Sequence, residues 1–86
     1  MPSTRPDDEV QSGDVVLFND SLYEQGRTGR TGASYVVVRF ELSINDRIVF
    51  VRRLNGETLE GPEHGVLAED LRKDVARSYA YKALLR

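Results

Sequence analysis

The sequence predicts a mainly β domain: a small barrel or strongly twisted antiparallel sheet of four to five strands, with one C-terminal helix packed on it. Three observations carry this expectation. Residues 35–42 and 47–54 alternate along their length and are dominated by β-branched and aromatic residues, which suit a pleated, half-buried surface. Gly, Asn and Asp sit between the apolar runs at 13–14, 19–20, 45–46 and 55–56, where turn chemistry separates short strands. The apolar residues of the tail recur at helical spacing instead.

Composition bounds the rest. The 86 residues make one small domain, which buries roughly 60–65 % of the surface its unfolded chain exposes, so most apolar residues are needed inside. With no cysteine, a disulfide framework, a thiolate zinc site and a cysteine nucleophile are all excluded. No apolar run approaches the ~18 residues of a membrane helix, and Met1-Pro2-Ser3-Thr4-Arg5-Pro6 lacks the apolar core of a signal peptide. A cytoplasmic protein without a membrane partner is expected. A net charge of −2 argues against a coat protein that binds nucleic acid regardless of sequence.

Residues 1–12 read as a mobile tail and residues 13–86 as the domain. Residues 1–12 hold two prolines and the acidic run Asp7-Asp8-Glu9, with almost no apolar area to offset ordering entropy. Gly13-Asp14 introduces Val15-Val16-Leu17-Phe18, the first strand. Residues 19–34 form a long interval poor in apolar residues, and its distinctive part is the repeated tripeptide Arg27-Thr28-Gly29, Arg30-Thr31-Gly32. Loops of this length are either functional or disordered, and both readings stand.

The hairpin follows. Val36, Val38, Phe40 and Leu42 share one face of its first strand, and Ile48, Phe50 and Leu54 share one face of its second. Directly opposed residues of an antiparallel pair lie on the same face, so matching the apolar sides pairs Leu42 with Ile48 and Phe40 with Phe50. The turn is then Ile44-Asn45-Asp46. A two-residue turn sets Phe40 opposite Val51 and buries Arg47 and Arg53, which is costly for unpaired guanidinium groups. In the favoured register Arg39 and Arg53 point to the other face, beside Tyr35, Val37, Val49 and Val51. Arg52 either reaches out of the core's open edge or is turned outward by a bulge.

Residues 55–65 read as an acidic loop bearing Glu57, Glu60 and Glu63, and Val66-Leu67 as a short last strand. At 100° per residue Leu67, Leu71, Val75, Tyr79 and Leu85 gather on one side, giving a helix over about 68–85. Alternation of Val75, Arg77, Tyr79, Tyr81 and Ala83 offers a strand there instead, and the alanine content favours the helix.

Charge is segregated along the chain. Arg27 to Arg53 holds six arginines against two acids, an excess of four positive charges within a chain of net −2. The repeated Arg-Thr-Gly suits an anion cradled by backbone amides and guanidinium groups, or else a solvated loop. Arg39 and Arg53 beside Tyr35 and the valines extend this into a basic face suited to single-stranded RNA or DNA, since a guanidinium plane both stacks and bonds phosphate. The competing reading pairs these arginines with Glu41 or with the acids of 57–63. His64 with Glu60 and Glu63 is poor provision for a metal, and no serine has a neighbouring histidine to activate it. No metal, cofactor or catalytic residue is expected. Tyr79, Tyr81, Leu84 and Leu85 offer a helix face to a second copy or a protein partner, so a homodimer is in view.

The order of elements resembles an SH3-like small barrel of the KOW or Tudor kind. Gly13-Asp14-Val15-Val16-Leu17 is similar to the opening strand, loop 19–34 takes the place of the first ligand-lining loop, and 35–54 that of the central hairpin. Gly65-Val66-Leu67 takes the place of the closing segment, and the chain departs from the pattern in its last 18 or so residues. The resemblance implies a non-enzymatic module that binds nucleic acid or peptide through its loops. The sequence therefore predicts an accessory or regulatory binding module that engages nucleic acid or an acidic protein surface through Arg27, Arg30, Tyr35, Arg39, Arg52 and Arg53. The alternative is a self-assembling or protein–protein interaction subunit with no nucleic-acid role.

Overall fold

The computed structural model describes residues 10–42 and 47–85. Most of the expected tail, residues 1–9, and the expected turn Ile44-Asn45-Asp46 lie outside the described residues. Five strands form one antiparallel sheet in the order β4-β3-β2-β1-β5: β1 (Val15–Phe18), β2 (Tyr35–Leu42), β3 (Arg47–Asn55), β4 (Thr58–Leu67) and β5 (Leu71–Lys73). Helix α1 (Ser21–Thr28) joins β1 to β2, a 3-10 turn at Ala68–Asp70 joins β4 to β5, and α2 (Val75–Leu84) closes the chain. The mainly β class with a C-terminal helix is as expected. No helix of the described residues is long and apolar enough to cross a membrane.

Several boundaries move. The interval 19–34 contains a helix, and the acidic stretch 55–65 is mostly strand β4. The C-terminal helix starts at Val75 rather than 68, because residues 68–70 turn and 71–73 pair with β1 as Phe18 with Leu71 and Val16 with Lys73. Val10, assigned to the tail, is buried in the core.

The hairpin register also differs. Leu42 stands opposite Arg47, and Phe40 opposite Val49, so residues 43–46 connect the strands. The ladder then shifts between Val37 and Arg39, and resumes with Val37 opposite Val51 and Tyr35 opposite Arg53. The physical reason is Arg39. In an unbroken strand it would share a face with Tyr35 and Val37, both of which are buried. The bulge at Val38 reverses the alternation, so Tyr35, Val37 and Phe40 turn toward the core while Arg39 stays exposed.

The main core consequently uses Tyr35, Val37, Val49 and Val51 rather than the predicted face, of which Phe40 joins it and Val36 and Leu54 go to a second, smaller cluster. The main cluster is Val10, Val16, Phe18, Tyr35, Val37, Val49, Val51, Val66 and Leu71, with Tyr23, Ala33, Phe40 and Ala68 against it. A smaller cluster of Val15, Val36 and Tyr81, joined by Leu54 and Leu59, lies under α2. β1 and the first half of β2 are thus covered on both faces, which is why Val15–Phe18 and Tyr35–Val38 are unbroken apolar runs.

Polar groups fasten α2 to this sheet. Ser78, itself buried, accepts a 2.8 Å bond from the Val15 amide and donates to the Asp74 carbonyl at 2.7 Å. Asp74 caps the helix by accepting from the Arg77 amide and donates its own amide to the Val15 carbonyl. Asp14, fully buried, has Lys82 Nζ at 2.7 Å and Lys73 Nζ at 3.4 Å, and accepts from the Gln11 amide. A buried carboxylate is tolerable only with such partners.

Candidate anion-binding cleft

The repeated Arg-Thr-Gly is not repeated in structure. Asp20 caps the start of α1, its carboxylate accepting from the amides of Leu22 and Tyr23. Arg27 and Thr28 form the helix's last turn, and Gly29 ends it in the left-handed conformation at φ 76°, donating its amide to the Gln25 carbonyl. The second tripeptide lies beyond the helix as loop. Arg30 is exposed there, and Arg27 lies over the Tyr23 ring at 5.2 Å.

Glu24 organises this loop. It is 2 % exposed, and its carboxylate accepts from the Gly32 amide at 2.9 Å, the Ala33 amide at 3.1 Å and the Tyr35 hydroxyl at 3.0 Å. Thr28 Oγ1 donates to the Glu24 carbonyl and lies 3.0 Å from the same tyrosine hydroxyl. The Gly32 amide, offered by the repeat as part of an anion cradle, is therefore already spent on the chain's own carboxylate, as is its neighbour's at Ala33. Sequence reasoning missed Glu24; its signal is that it is the one acid between Asp20 and Glu41.

Tyr35 is not a stacking platform. It is fully buried, its ring edge-on to Phe18 at 5.0 Å. Burial pushes its hydroxyl above the ordinary value of 10.0, reinforced by Glu24 and opposed by the Thr28 bond and the Arg53 charge.

Beside this tyrosine opens a cleft of about 280 Å³, lined by Thr28, Arg30, Tyr35, Arg53, Glu60, Gly61, Pro62 and His64. It unites three of the six predicted residues, Arg30, Tyr35 and Arg53, with Thr28, Glu60 and His64, which the sequence did not assign to a ligand site. The other three stand apart from it. Arg27 is on α1, Arg52 donates Nε to the Gly61 carbonyl at 2.9 Å, and Arg39 lies on the outer face.

Most of the expected basic face is neutralised. Arg53 NH1 meets Glu60 Oε1 at 2.5 Å, and Asn55 donates to the same carboxylate at 3.3 Å. Arg39 donates Nε to Glu63 at 3.1 Å, has Glu41 at 3.9 Å, and covers the Phe50 ring at 3.8 Å. Phe50 in turn lies across from Gly65, where a Cβ would come within 3.2 Å of the ring. The competing sequence reading, arginines paired with Glu41 and the acids of 57–63, is the arrangement observed. Arg30 differs: no side-chain partner stands beside its guanidinium among the described residues. No group of three metal-ligating side chains gathers among them either.

Neither a family model, a curated protein nor a solved structure matches the chain.

Proposed function

We propose that the chain is a non-enzymatic binding module, accessory or regulatory in role, that takes an acidic protein segment at the cleft between the loop 29–34 and strands β3 and β4. The observation that carries this reading is Arg30, exposed and without a side-chain partner among the described residues, on the rim of a cleft that Arg53 also lines. A guanidinium offers forked donors that match a carboxylate or phosphate, and an unpaired one beside a cavity is free to use them. Carboxylates are preferred to nucleic acid as ligand for two reasons. Base stacking needs open aromatic faces, yet Tyr35 is buried and Phe50 lies under Arg39. The chain also carries net negative charge. The element order along residues 13–67 supports the likeness to an SH3-like barrel, and such a likeness favours a binding role by analogy.

A fluorescence anisotropy titration with a glutamate- and aspartate-rich peptide and with an oligothymidylate, each at two salt concentrations, tests this reading. The peptide binds and weakens with salt, and Arg27→Ala/Arg30→Ala abolishes the binding. Equal affinity in the double variant refutes the role of the loop. Preferential binding of the oligonucleotide, with a log–log salt slope near one unit per phosphate contact, makes nucleic acid the partner.

A second reading, a self-assembling subunit, is favoured by α2. Val75, Ala76, Tyr79, Ala80, Ala83 and Leu84 occupy its outward arc without a charge among them, and all six are exposed. A groove of about 330 Å³ runs beside them, lined by Leu54, Gly56, Arg77, Ala80, Tyr81 and Leu84. This reading predicts a mass in light scattering that rises with concentration and no retention of either anionic probe.

A further inference from the structure

A bulge in β4 gathers the titratable side chains of the cleft. Val51 pairs with His64 and Arg53 with Glu60, so Gly61, Pro62 and Glu63 stand opposite Arg52 alone. In an unbroken strand Glu60 and His64 would lie about 13 Å apart. The bulge sets them across from residues two apart on β3, a spacing of about 7 Å. Directly opposed residues share a face. The ladders therefore lay two rows side by side on one face, Tyr35–Arg53–Glu60 and Val37–Val51–His64. Thr28 and Arg30 complete the lining of the cleft.

His64 is half-buried in this lining, and neither ring nitrogen has a hydrogen-bond partner among the described residues. Apart from Arg30, the other polar side chains there are engaged. The Thr28 and Tyr35 hydroxyls lie 3.0 Å apart and both reach Glu24. Arg53 holds Glu60, whose carboxylate also accepts from Asn55.

We propose that His64 binds the acidic ligand beside Arg30, and that its proton sets how strongly the cleft takes that ligand. The inference rests on the acidic-segment reading above and adds a binding residue and a regulation to it. The cleft's two guanidinium groups, Arg30 and Arg53, stand against the single carboxylate of Glu60, an excess of one positive charge. Tyr35 contributes a neutral hydroxyl, and Glu63, next to His64 in sequence, is turned to Arg39 outside the cleft. A proton on His64 doubles that excess, and it turns the ring from one donor and one acceptor into two donors. Histidine makes this change between about pH 5 and 8, a range in which carboxylates and guanidinium groups ordinarily keep their charges. Acid therefore strengthens binding of the segment, and by reciprocity the bound segment favours the protonated ring. His64 is the chain's only histidine, so no second imidazole contributes to the change.

The test is isothermal titration calorimetry of the intact chain with an aspartate-rich peptide at about pH 5.5 and about pH 8, where the peptide's carboxylates stay ionised. His64→Gln removes the titrating ring, and His64→Lys makes its charge permanent. Circular dichroism melts verify that each variant is folded. The imidazole resonances of the wild type, followed by NMR against pH with and without peptide, need no variant at all. The expected result is wild-type affinity about fivefold higher at the lower pH, the gain from one added ion pair at a partly open site. His64→Gln holds the weaker affinity at both values and His64→Lys the stronger. Bound peptide moves the imidazole titration to higher pH.

The same pH dependence in wild type and His64→Gln overturns the proposal, because general charge then explains it, and leaves the acidic-segment reading standing. An imidazole titration that bound peptide does not move overturns it equally. A gain at low pH shown by an oligothymidylate and not by the peptide overturns the ligand class. No binding of the peptide by the wild type or by His64→Lys at either pH refutes the acidic-segment reading itself.

Discussion

Glu24→Gln is the sharpest probe of how the loop beside the cleft is held. The carboxylate accepts three bonds in a site that is 2 % exposed, two from the backbone amides of Gly32 and Ala33 and one from the Tyr35 hydroxyl. Glutamine has nearly the same shape but only one acceptor oxygen. If that oxygen keeps the Gly32 amide, the new amide nitrogen faces the Ala33 amide, donor against donor; flipping it merely moves the conflict to Gly32. The tyrosine hydroxyl adapts by turning round to accept. One buried backbone donor is thus left without a partner, at about 1–3 kcal/mol, while relief from burying a charge offsets part of the loss. We expect a net destabilisation of about 2 kcal/mol. For a domain of this size that lowers Tm by about 8–16 °C. Urea denaturation followed by circular dichroism measures the free energy, and hydrogen exchange at Gly32 and Ala33 locates it. A change below about 0.5 kcal/mol, the scale of an ordinary surface substitution, with protection at both amides intact, would show that Glu24 does not hold the loop.

Three further outcomes follow from the same accounting. Ser78→Ala strands the buried Val15 amide and removes one of the two polar ties between α2 and β1, lowering stability by about 1–3 kcal/mol in a thermal melt; an unchanged melt refutes the anchoring role. Asp14→Asn removes the carboxylate that Lys73 and Lys82 share, at a cost of about 3 kcal/mol, and 0.5 M salt leaves that difference nearly intact because the carboxylate is fully buried. A difference erased by salt would mean a surface pair instead. Tyr35→Phe tests pH linkage. Its folded value lies above the ordinary 10.0, so the contribution of the neutral hydroxyl is complete below that pH and is lost as pH rises through the folded value. The stability advantage of wild type over Tyr35→Phe therefore shrinks above about pH 10, and parallel stability curves contradict it.

Fold class, the central hairpin and a helix after residue 75 were legible in the sequence, because alternation and turn residues report them directly. The face of the hairpin was not. Alternation defines two sets of residues, but Tyr35 and Val37 are as apolar as Val36 and Val38, and the bulge that selects between them sits at Val38, the end of the valine run. The signal was present in Arg39: an arginine in step with two apolar residues requires either a partner or a break in the ladder. Helix α1 was hidden for a different reason. It is eight residues long, holds Gly26, and its one buried residue is the charged Glu24, so hydrophobic periodicity had nothing to report. Only its caps, Asp20 and Gly29, are visible in the sequence, and Gly29 was read instead as part of a repeat.

The site was legible to the extent that arginine is where the interesting chemistry lies, and misleading as to how much of it is free. A run of charge along a chain becomes a charged surface only if folding does not bring the opposite charge alongside. Here the acidic stretch that follows the arginines in sequence is folded back as β4, which sets Glu60 directly across from Arg53. Pairing two antiparallel strands of opposite charge cancels in space what was separated along the sequence. The same holds at the loop, where Glu24 takes the Gly32 amide that the repeat appeared to offer an anion, and the Gly29 amide is spent on the Gln25 carbonyl. What escapes is the segment with no strand opposite it. Arg30 lies past the end of α1 and before the start of β2, where no ladder sets an acid opposite it, and that position rather than its residue type is what leaves its guanidinium without a side-chain partner among the described residues. For the acidic segment proposed above, Arg30 is therefore the open guanidinium of the cleft, whereas Arg53 is already held by Glu60.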